Sequence, residues 1–553
     1  MSFLFSHLRQ SSEAVISTKD GILDPSPNIG APLDLDSFLD MDESNREYCS
    51  RMQGHLAIAG VGISVVFSIA CMIVGVLICR HTGRIDDVVL PPGWSHGTFP
   101  TLTEPYTGLI AIFPNALLPS ELVALLLNLA VTFCTECVGF VHSVTLKSTL
   151  ALEGQLAFNT NPRLFSRMHL KHWYHANGPI FNVAMMLLLT LSYSSSSLCF
   201  VQILSYSSDS GARSKWGSTC VFGIPLIVLG ITILLQSFIA TYSILTVKIL
   251  TWSSSPFDTA FALLRNGLLL RKPGRSMHTA VDGDVVIAPA RERQPSAWQC
   301  HPVVKRVVVF LWVLGLLFAV WGSLVYIAWN FAAIAPGGAF VSAGSWALIP
   351  NLDTDSYEYL WLVDPLHGTD AWPIIFATLA AAQGLLTFGL HCAELIANVM
   401  RDELQWRQAT TSSGMPMSRN PIVGVLGSWP NMLLLLAKPF LHWLFGLAMT
   451  VAGTSNPLDV SLLTISVINR PYQIWYLSGA TFIFAGGMTA LALRHPPGLQ
   501  PAAFGHIQTL ANVVDVWAPT IWWGYKVTNE SAGHAGTSDW SDVPTMSLGP
   551  SMA

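Results

Sequence analysis

The chain has 553 residues, of which 51% are hydrophobic and only 11% are charged, and its mean hydropathy is +0.48. This composition excludes a soluble assembly of two or three domains and indicates a polytopic membrane protein. The net charge of −5 is small and spread along the chain, so nucleic acid is not expected as a partner.

Eight apolar spans follow a polar N-terminal segment. Residues 1–54 are rich in Ser, Asp and Pro and show no sustained period, which is typical of a disordered tail. Each later span is long enough to cross about 30 Å of hydrocarbon at roughly 1.5 Å per residue. The spans cover approximately 56–79, 121–146, 179–204, 217–247, 307–331, 372–399, 429–453 and 472–493. The sequence therefore predicts an all-α membrane protein with about eight transmembrane helices.

The distribution of Lys and Arg predicts the orientation of these helices. If the N-terminus is cytosolic, 22 of the 28 basic residues lie in cytosolic segments and five in outer loops, while Lys438 lies within a span. Basic residues are enriched in cytosolic loops, so we expect both termini in the cytosol. Spans of 22 to 31 residues are compatible with a thick plasma membrane, which is the location we favour.

Two similar stretches lie 255 residues apart, Thr132-Phe133-Cys134-Thr135-Glu136-Cys137 and Thr387-Phe388-Gly389-Leu390-His391-Cys392. Around each stretch the spans and loops follow in the same order and with similar lengths. An even number of spans in each half inserts both halves the same way up, so we predict two parallel four-helix repeats with any shared site between them.

These patterns divide the chain into six parts. They are a disordered cytosolic tail (1–54), a first four-helix half with a cytosolic end helix (55–270), a cytosolic linker (271–305), a second four-helix half (306–494), an amphipathic cytosolic helix (495–526) and a disordered tail (527–553).

Ionisable side chains inside the spans are the main functional lead. They are Glu136, His142, His391, Glu394, Lys438 and His442. Counted from the span ends, Glu136, His391 and Lys438 all lie roughly 15 Å from the cytosolic boundary. Lys438 and His442 are four residues apart and share a helix face. Such groups are costly in hydrocarbon unless they are paired or face an aqueous path.

Three hypotheses account for these residues. One is an interhelical ion pair, such as Glu136 with Lys438, that only fixes helix packing. The second is a proton-linked or polar-solute pathway, for which carboxylates and histidines are the usual side chains. The third, weaker alternative is a metal site that adds Cys134, Cys137 and Cys392 to Glu136 and His391. We expect neither a resident metal nor another cofactor.

Two cytosolic segments carry helix signals. Ser255 and Pro256 suit a helix start, and Asn266-Gly267 suits its end. In the tail, apolar residues from Phe504 to Ile521 repeat every three or four positions, which predicts one amphipathic helix. This helix either packs on the cytosolic face of the bundle or binds a cytosolic protein through residues 501–526.

The same tail carries a family resemblance. Phe504-Gly505-His506-Ile507-Gln508-Thr509-Leu510-Ala511-Asn512, together with Glu136-Cys137-Val138-Gly139-Phe140-Val141-His142-Ser143 and Leu390-His391-Cys392-Ala393-Glu394-Leu395, resembles an uncharacterised family of fungal multi-pass membrane proteins. The resemblance covers most of the chain from the first span to Lys526. It implies a fungal membrane context and no catalytic roles.

Transport or permeation of a small solute, linked to protons, is the function that these features favour. The alternative is a non-enzymatic scaffold or sensor, with outer loops at 80–120 and 332–371 and a partner-binding cytosolic tail. The sequence contains no Gly-rich phosphate-binding loop with its Lys and Ser/Thr, which argues against an ATP-driven pump. An intramembrane enzyme is the least favoured class, and the bilayer, a small solute and the proton are the expected partners.

Overall fold

A computed structural model gives the fold of most of the chain. The described residues are 35–80, 82–83, 106–107, 110–113, 120–161, 175–205, 219–272, 274–283, 290–334, 346–349, 359–361, 371–417, 427–456, 459–526 and 534–541.

Helices make up most of the described chain. They are α1 (Leu35–Arg80), α2 (Ser120–Leu152), α3 (Pro179–Leu198), α4 (Gly223–Thr246), α5 (Pro256–Arg265), α6 (Ala297–Cys300), α7 (Val304–Ile334), α8 (Ala371–Arg407), α9 (Trp429–Ala448), α10 (Pro471–Leu493) and α11 (Ile507–Val513). Eight of them, α1 to α4 and α7 to α10, are long and apolar enough to cross a membrane. The prediction of a polytopic protein with eight spans is confirmed.

Strands occur beside the helices, although an all-α protein was expected. Within the described residues they are β1 (Thr82–Gly83), β2 (Tyr106–Thr107), β3 (Ile110–Phe113), β4 (Phe200–Ser205), β5 (Thr219–Phe222), β6 (Tyr359–Trp361), β7 (Met415–Pro416), β8 (Met449–Asn456), β9 (Asp459–Asn469), β10 (Thr520–Lys526) and β11 (His534–Ser538). Six of them form one sheet in the order β3-β5-β4-β8-β9-β6. The sheet joins the two halves, because β4 pairs in parallel with β8.

Three predicted spans were therefore too long. The spans at 179–204 and 429–453 run past the ends of α3 and α9 into β4 and β8, and the span at 217–247 starts ahead of β5, the strand that precedes α4. Apolar strand residues are as hydrophobic as helix residues, so hydropathy alone does not separate a short buried strand from the end of a span.

Close packing joins the first and last helix of each half. α1 packs along α4, and α7 packs along α10. Ser68 of α1 donates a hydrogen bond of 2.7 Å to the carbonyl of Gly230 in α4. Ser478 of α10 donates one of 2.9 Å to the carbonyl of Gly315 in α7. Small residues at both contacts let the backbones approach closely, as is usual for helix pairs in membranes.

The halves meet through their inner helices. α2 contacts α9, and α3 contacts α8. One hydrophobic core extends across this contact and includes Leu198 and Phe222 from the first half and Leu386, Phe445 and Leu477 from the second. Side chains that point from these four helices toward the centre consequently lie between the halves.

The end of the bundle opposite the sheet carries a layer of shorter segments, here called the end layer. It comprises residues 153–161, 247–272, 274–283, 290–303, 408–417, 494–526 and 534–541. The backbone N–H of Asn159 donates to the carbonyl of Gly505 at 2.8 Å. The indole of Trp406 donates to the carbonyl of Pro501, also at 2.8 Å. The end of the chain thus folds back onto segments from both halves.

The prediction of one amphipathic helix over 495–526 is wrong in its extent. Only α11 is helical, and Thr520–Lys526 forms strand β10, which pairs with β11. The backbone turns at Phe504 and Gly505, both of which have positive φ, and Glu403 accepts the N–H groups of Ala503 and Phe504 at 2.9 Å. The apolar stripe of the tail faces inward and is buried in the end layer.

Other boundaries follow the sequence more closely. Helix α5 begins after Ser255, whose side chain accepts the N–H of Phe257, and it ends before Gly267, which has φ of 66°.

Helix α1 begins at Leu35, inside the tail that was expected to be disordered. Residues 1–34 and most of 527–553 lie outside the described residues, as do most of the outer loops.

Candidate functional site: an intramembrane charge cluster

Lys438 lies at the centre of the contact between the halves. It is on α9, and only 2% of its side chain is exposed. Its ammonium group donates to Oε1 of Glu136 on α2 and to Oε1 of Glu394 on α8. The side chains of Glu394 and Glu136 are 9% and 27% exposed. One ammonium group therefore joins three helices from both halves.

His391 completes what we call the Lys438 cluster, which consists of Lys438, Glu136, Glu394 and His391. Nδ1 of His391 lies 2.9 Å from Oε1 of Glu394. Beside an ionised carboxylate this nitrogen carries the hydrogen, so Nε2 of the neutral ring is left with a lone pair. Nε2 is buried and has no hydrogen-bond partner among the described residues.

His442 lies one helical turn from Lys438 and belongs to a neighbouring polar group. Its ring stacks on Tyr193 of α3, with centroids 3.7 Å apart and planes 8° apart. Gln383 of α8 donates to Nδ1 of His442 at 3.2 Å and to Ser197 at 3.2 Å. The Tyr193 ring is 6.3 Å from that of His391, so this group continues the Lys438 cluster toward the sheet end.

His142 does not reach the Lys438 cluster. Its Nε2 lies 2.8 Å from Oδ1 of Asn182 on α3. Asn182 in turn donates to the backbone of Asn177 at 3.0 Å. The structure thus brings together five of the six predicted residues in one polar row and places His142 in a separate contact within the first half.

Gln383 and Tyr193 are not among the residues predicted from the sequence, although the sequence carries a signal for Gln383. Polar residues recur along α8 at intervals of three or four, at Gln383, Thr387, His391, Glu394, Asn398 and Asp402. This spacing places them on one face of the helix over a length of about 28 Å. We call this line the α8 polar stripe. It extends over most of a membrane thickness at the contact between the halves.

The stripe ends in a second buried cluster, next to the end layer. Lys147, at the end of α2, donates to Oδ1 of Asn159 at 3.3 Å, to the carbonyl of Ser253 at 2.9 Å and to Thr259 at 3.0 Å. Nδ2 of Asn159 donates to Asp402 at 2.9 Å. Lys147, Asn159 and Asp402 are all buried, so this contact also closes the space between the halves.

Charge is unbalanced in the Lys438 cluster. Two carboxylates face one ammonium group, which leaves a net charge of −1 when both carboxylates are ionised and His391 is neutral. An uncompensated charge buried at membrane depth is strongly unfavourable. The net charge of these four side chains therefore depends on how many protons they carry.

A metal ion fits this site less well. Ligand atoms of Glu136, His391 and Glu394 lie within 4.8 Å of one another, and this group includes none of the three cysteines of the sequence hypothesis. Among the described residues, Cys137 packs against Gly60, and Cys134 belongs to a hydrophobic cluster. The Lys438 ammonium group already bonds to both carboxylates, so a metal would have to displace it.

Comparison with protein-family models, with curated proteins and with solved structures gives no match. The geometry and charge of the Lys438 cluster are therefore the basis on which a function is inferred.

Proposed function

We propose that this protein is a proton-linked transporter, or permease, for a small solute. The observation that carries the proposal is the buried bonding of Lys438 to Glu136 and Glu394 at the contact between the two halves. Ionisable groups at this depth are expensive and are characteristic of ion and proton pathways in membrane proteins. A site between two halves is also the usual place for a transported substrate.

The proposal includes two parallel repeats. Supporting pairs occur at a constant separation of 255 residues along α2 and α8: Asn128 and Gln383, Thr132 and Thr387, Glu136 and His391, Cys137 and Cys392, and Lys147 and Asp402. Helix packing follows the same correspondence, because α1 pairs with α4 as α7 pairs with α10. The contact of α2 with α9 likewise corresponds to that of α8 with α3.

We further propose that the end layer is cytosolic and that the protein resides in the plasma membrane. The segments on this side hold 22 of the 28 Lys and Arg residues, in agreement with the positive-inside rule. The beginning of α1 lies on this side, since the side chain of Ser50 accepts the N–H of Trp252 at 3.1 Å. The tail after α10 packs in the same layer, which supports the proposal that both termini are cytosolic.

Protonation provides the link to transport. Adding one proton to the Lys438 cluster removes its excess negative charge and weakens the hold of a carboxylate on Lys438. The three helices that meet at Lys438 can then separate at lower cost, which shifts the population toward a state open to the other side. Loss of the proton restores the ion pairs and the packed state.

Reconstituted protein tests this proposal directly. Proteoliposomes on a solid-supported membrane are exposed to a panel of amino acids, sugars, amines and metal ions at pH 5.5 and 7.5, and the currents are recorded. We expect at least one solute to produce a pH-dependent current that Glu136→Gln abolishes. Glu153→Gln, which changes an exposed glutamate beyond the end of α2, is the matched control and keeps the current. Thermal unfolding of both variants verifies that they are folded.

An identical current in wild type and Glu136→Gln, for every solute that gives one, would remove the support for transport through this site.

A scaffold or sensor is the second candidate, and one observation favours it. The end layer is folded, yet it exposes large apolar side chains, with Leu270 77% and Trp540 62% exposed. Such side chains are a feature of protein contact surfaces. The apolar residues that repeat in the tail from Phe504 to Ile521 are buried or partly buried, so they do not belong to this exposed surface. If the protein is a scaffold or sensor, Leu270→Glu with Trp540→Glu should change the co-purifying proteins.

A further inference from the structure

We infer that His301, Phe158 and His506 form a latch that opens in acid. Protonation of the two imidazole rings releases loop 153–161 from the tail of the chain and thereby withdraws Asn159 from the contact between the halves. We call these three residues the Phe158 latch. It regulates the contact between the halves and does not depend on the proposed transport function.

The Phe158 ring packs against both imidazole rings. Its centroid lies 4.2 Å from that of His301, which precedes α7, and 5.0 Å from that of His506, which precedes α11. Phe158 and His301 are buried, and His506 is half-buried. An apolar side chain from the first half is thus held by two titratable rings, one from the start of the second half and one from the tail.

Backbone hydrogen bonds attach the loop to the tail at the same place. The N–H of Asn159 donates to the carbonyl of Gly505 at 2.8 Å, and the N–H of Ile507 donates to that of Ala157 at 2.9 Å. These four residues are the sequence neighbours of the latch residues in the loop and in the tail. A displacement of the rings therefore breaks these backbone bonds as well.

Both imidazole rings use Nδ1 as an acceptor. Nδ1 of His301 accepts the N–H of Val303 at 3.3 Å, and Nδ1 of His506 accepts the N–H of Thr509 at 3.3 Å. In each neutral ring the other nitrogen carries the hydrogen, so an added proton goes to Nδ1. Protonation therefore turns both acceptors into donors and removes both bonds. One of these bonds is the N-cap of α11.

The surroundings of the rings favour their neutral form. Burial lowers the pKa of His301 to about 4 and that of His506 to about 4. For His301, a hydrogen bond to the backbone of Thr160 raises the pKa and the charge of His506 lowers it. The titratable and charged groups on the elements packed around the latch are Lys147, Cys300, Arg401, Asp402 and Glu403.

Acid consequently favours the released loop. When the loop leaves the tail, both rings enter water, where a histidine has a pKa near 6.5. Below pH 6.5 the released form thus binds more protons than the closed form, and falling pH shifts the equilibrium toward release. Above pH 6.5 both forms are neutral and the latch stays closed.

Asn159 carries the release to the contact between the halves. Its side-chain oxygen accepts from Lys147 at 3.3 Å and from Thr259 at 2.9 Å, and its nitrogen donates to the carbonyl of Ser254 at 3.0 Å and to Asp402 at 2.9 Å. Asn159 directly follows the phenylalanine of the latch, so release of that ring draws the amide away from Lys147 and Asp402. The two halves then lose this bridge.

Hydrogen–deuterium exchange of the full-length protein in lipid nanodiscs tests the inference. Peptides that cover 155–161 are followed at pH 7.5, 6.5 and 5.5, and their rates are corrected for the intrinsic pH dependence of amide exchange. We expect the corrected rate to rise about 100-fold between pH 7.5 and 5.5, since each of the two rings contributes about tenfold. Amides of β10 report on the remainder of the end layer and should change less.

Asparagine variants identify the rings. His301→Asn and His506→Asn should each leave a rise of about tenfold, and the double variant should show almost no rise. Asparagine keeps an acceptor at both positions and is a favourable N-cap residue for α11. If one single variant does not fold, the other still tests its own ring. His55→Asn changes an exposed histidine and should behave as wild type does.

Carboxyl labelling tests the connection to the contact between the halves. A carbodiimide couples glycine ethyl ester to accessible carboxylates, and Asp402, which is 1% exposed, is compared with the exposed Asp539. We expect the ratio of Asp402 to Asp539 labelling to rise severalfold between pH 7.5 and 5.5 in wild type and to stay constant in the double histidine variant.

Four results would overturn the inference. They are equal corrected exchange rates at pH 7.5 and 5.5, an undiminished rise in the double variant, acceleration of the β10 amides in step with those of the loop, and constant labelling of Asp402 while the loop opens. The third result would mean that the whole end layer unfolds in acid. The fourth would mean that the loop opens without disturbing the contact between the halves.

Discussion

Lys147 and Asp402 bind opposite ends of one side-chain amide, that of Asn159. Lys147 donates to its oxygen at 3.3 Å, and its nitrogen donates to Asp402 at 2.9 Å. Lys147 lies near the end of α2 and Asp402 near the end of α8, so the two charged residues belong to different halves. Asn159 lies in the loop after α2. Because all three are buried, the amide is the bridge that keeps this end of the contact between the halves closed.

Asn159→Leu should weaken this bridge. The substitution keeps the side-chain volume but leaves Lys147 and Asp402 without the amide, and a buried group that loses its partner costs about 1–3 kcal/mol, more when it is charged. We expect a lower unfolding temperature in nanodiscs. Asn161→Leu is the control, because Asn161 bonds only to the nearby carbonyl of Phe158 among its described contacts. Equal unfolding temperatures for the two variants would contradict the assignment.

Lys438→Met should be among the most destabilising substitutions in the protein. It leaves Glu136 and Glu394 close together without their ammonium partner, and breaking a buried ion pair from one side costs about 3–5 kcal/mol. Adding Glu136→Gln and Glu394→Gln removes both charges, so the triple variant should recover much of the loss. Thermal unfolding with size-exclusion chromatography measures this, and Lys248→Met, at an exposed position, is the control.

The triple variant also separates packing from transport. A folded triple variant without solute-dependent currents shows that the charges serve function. A triple variant as unstable as Lys438→Met would mean that the unpaired carboxylates are not the cause of the lost stability.

Acid should destabilise the end layer through two histidines. Burial lowers the pKa of His301 to about 4 and that of His506 to about 4, and both rings pack against Phe158. An unfolded histidine has a pKa near 6.5, so between pH 6.5 and 4 the unfolded chain binds more protons than the folded chain. Stability is therefore present above about pH 6.5 and falls as the pH is lowered, by up to about 3 kcal/mol for each ring.

His301→Asn tests this pH dependence. The asparagine oxygen can accept the N–H of Val303, as Nδ1 of His301 does. We expect the unfolding temperature of the variant to fall less than that of wild type between pH 7 and 4.5. His55→Asn changes an exposed histidine and should follow wild type. An unchanged slope in His301→Asn would show that this ring is not the acid-sensitive group.

Gly505→Ala should cost more than Gly498→Ala. Both glycines have positive φ, 73° and 92°, so both substitutions strain the backbone. At Gly505 an added Cβ would also lie 2.6 Å from Oδ2 of Asp402, whereas at Gly498 no atom lies within 4 Å. The difference between the two unfolding temperatures therefore isolates the clash with Asp402. A similar fall in unfolding temperature for the two variants would indicate that backbone strain alone accounts for the cost of both substitutions.

Hydropathy predicted every span, because a run of about 20 apolar residues is stable only in a bilayer or in a large hydrophobic core. It failed at Leu198 and Ala448, where helices give way to strands of one sheet, since strand pairing depends on partners far along the chain. It failed again at Phe504, where a left-handed turn held by Glu403 interrupts the periodic tail.

The sequence by itself determined that Glu136, His391, Glu394 and Lys438 lie at membrane depth, because apolar length and helix rise set depth along each span. Tertiary structure decided which helices face each other. It brings Glu394 into hydrogen-bond contact with Lys438, and it pairs His142 with Asn182 in a separate contact. It also places Asn159 between Lys147 and Asp402. Rotation of each helix about its axis depends on packing against neighbours, and no single span encodes that.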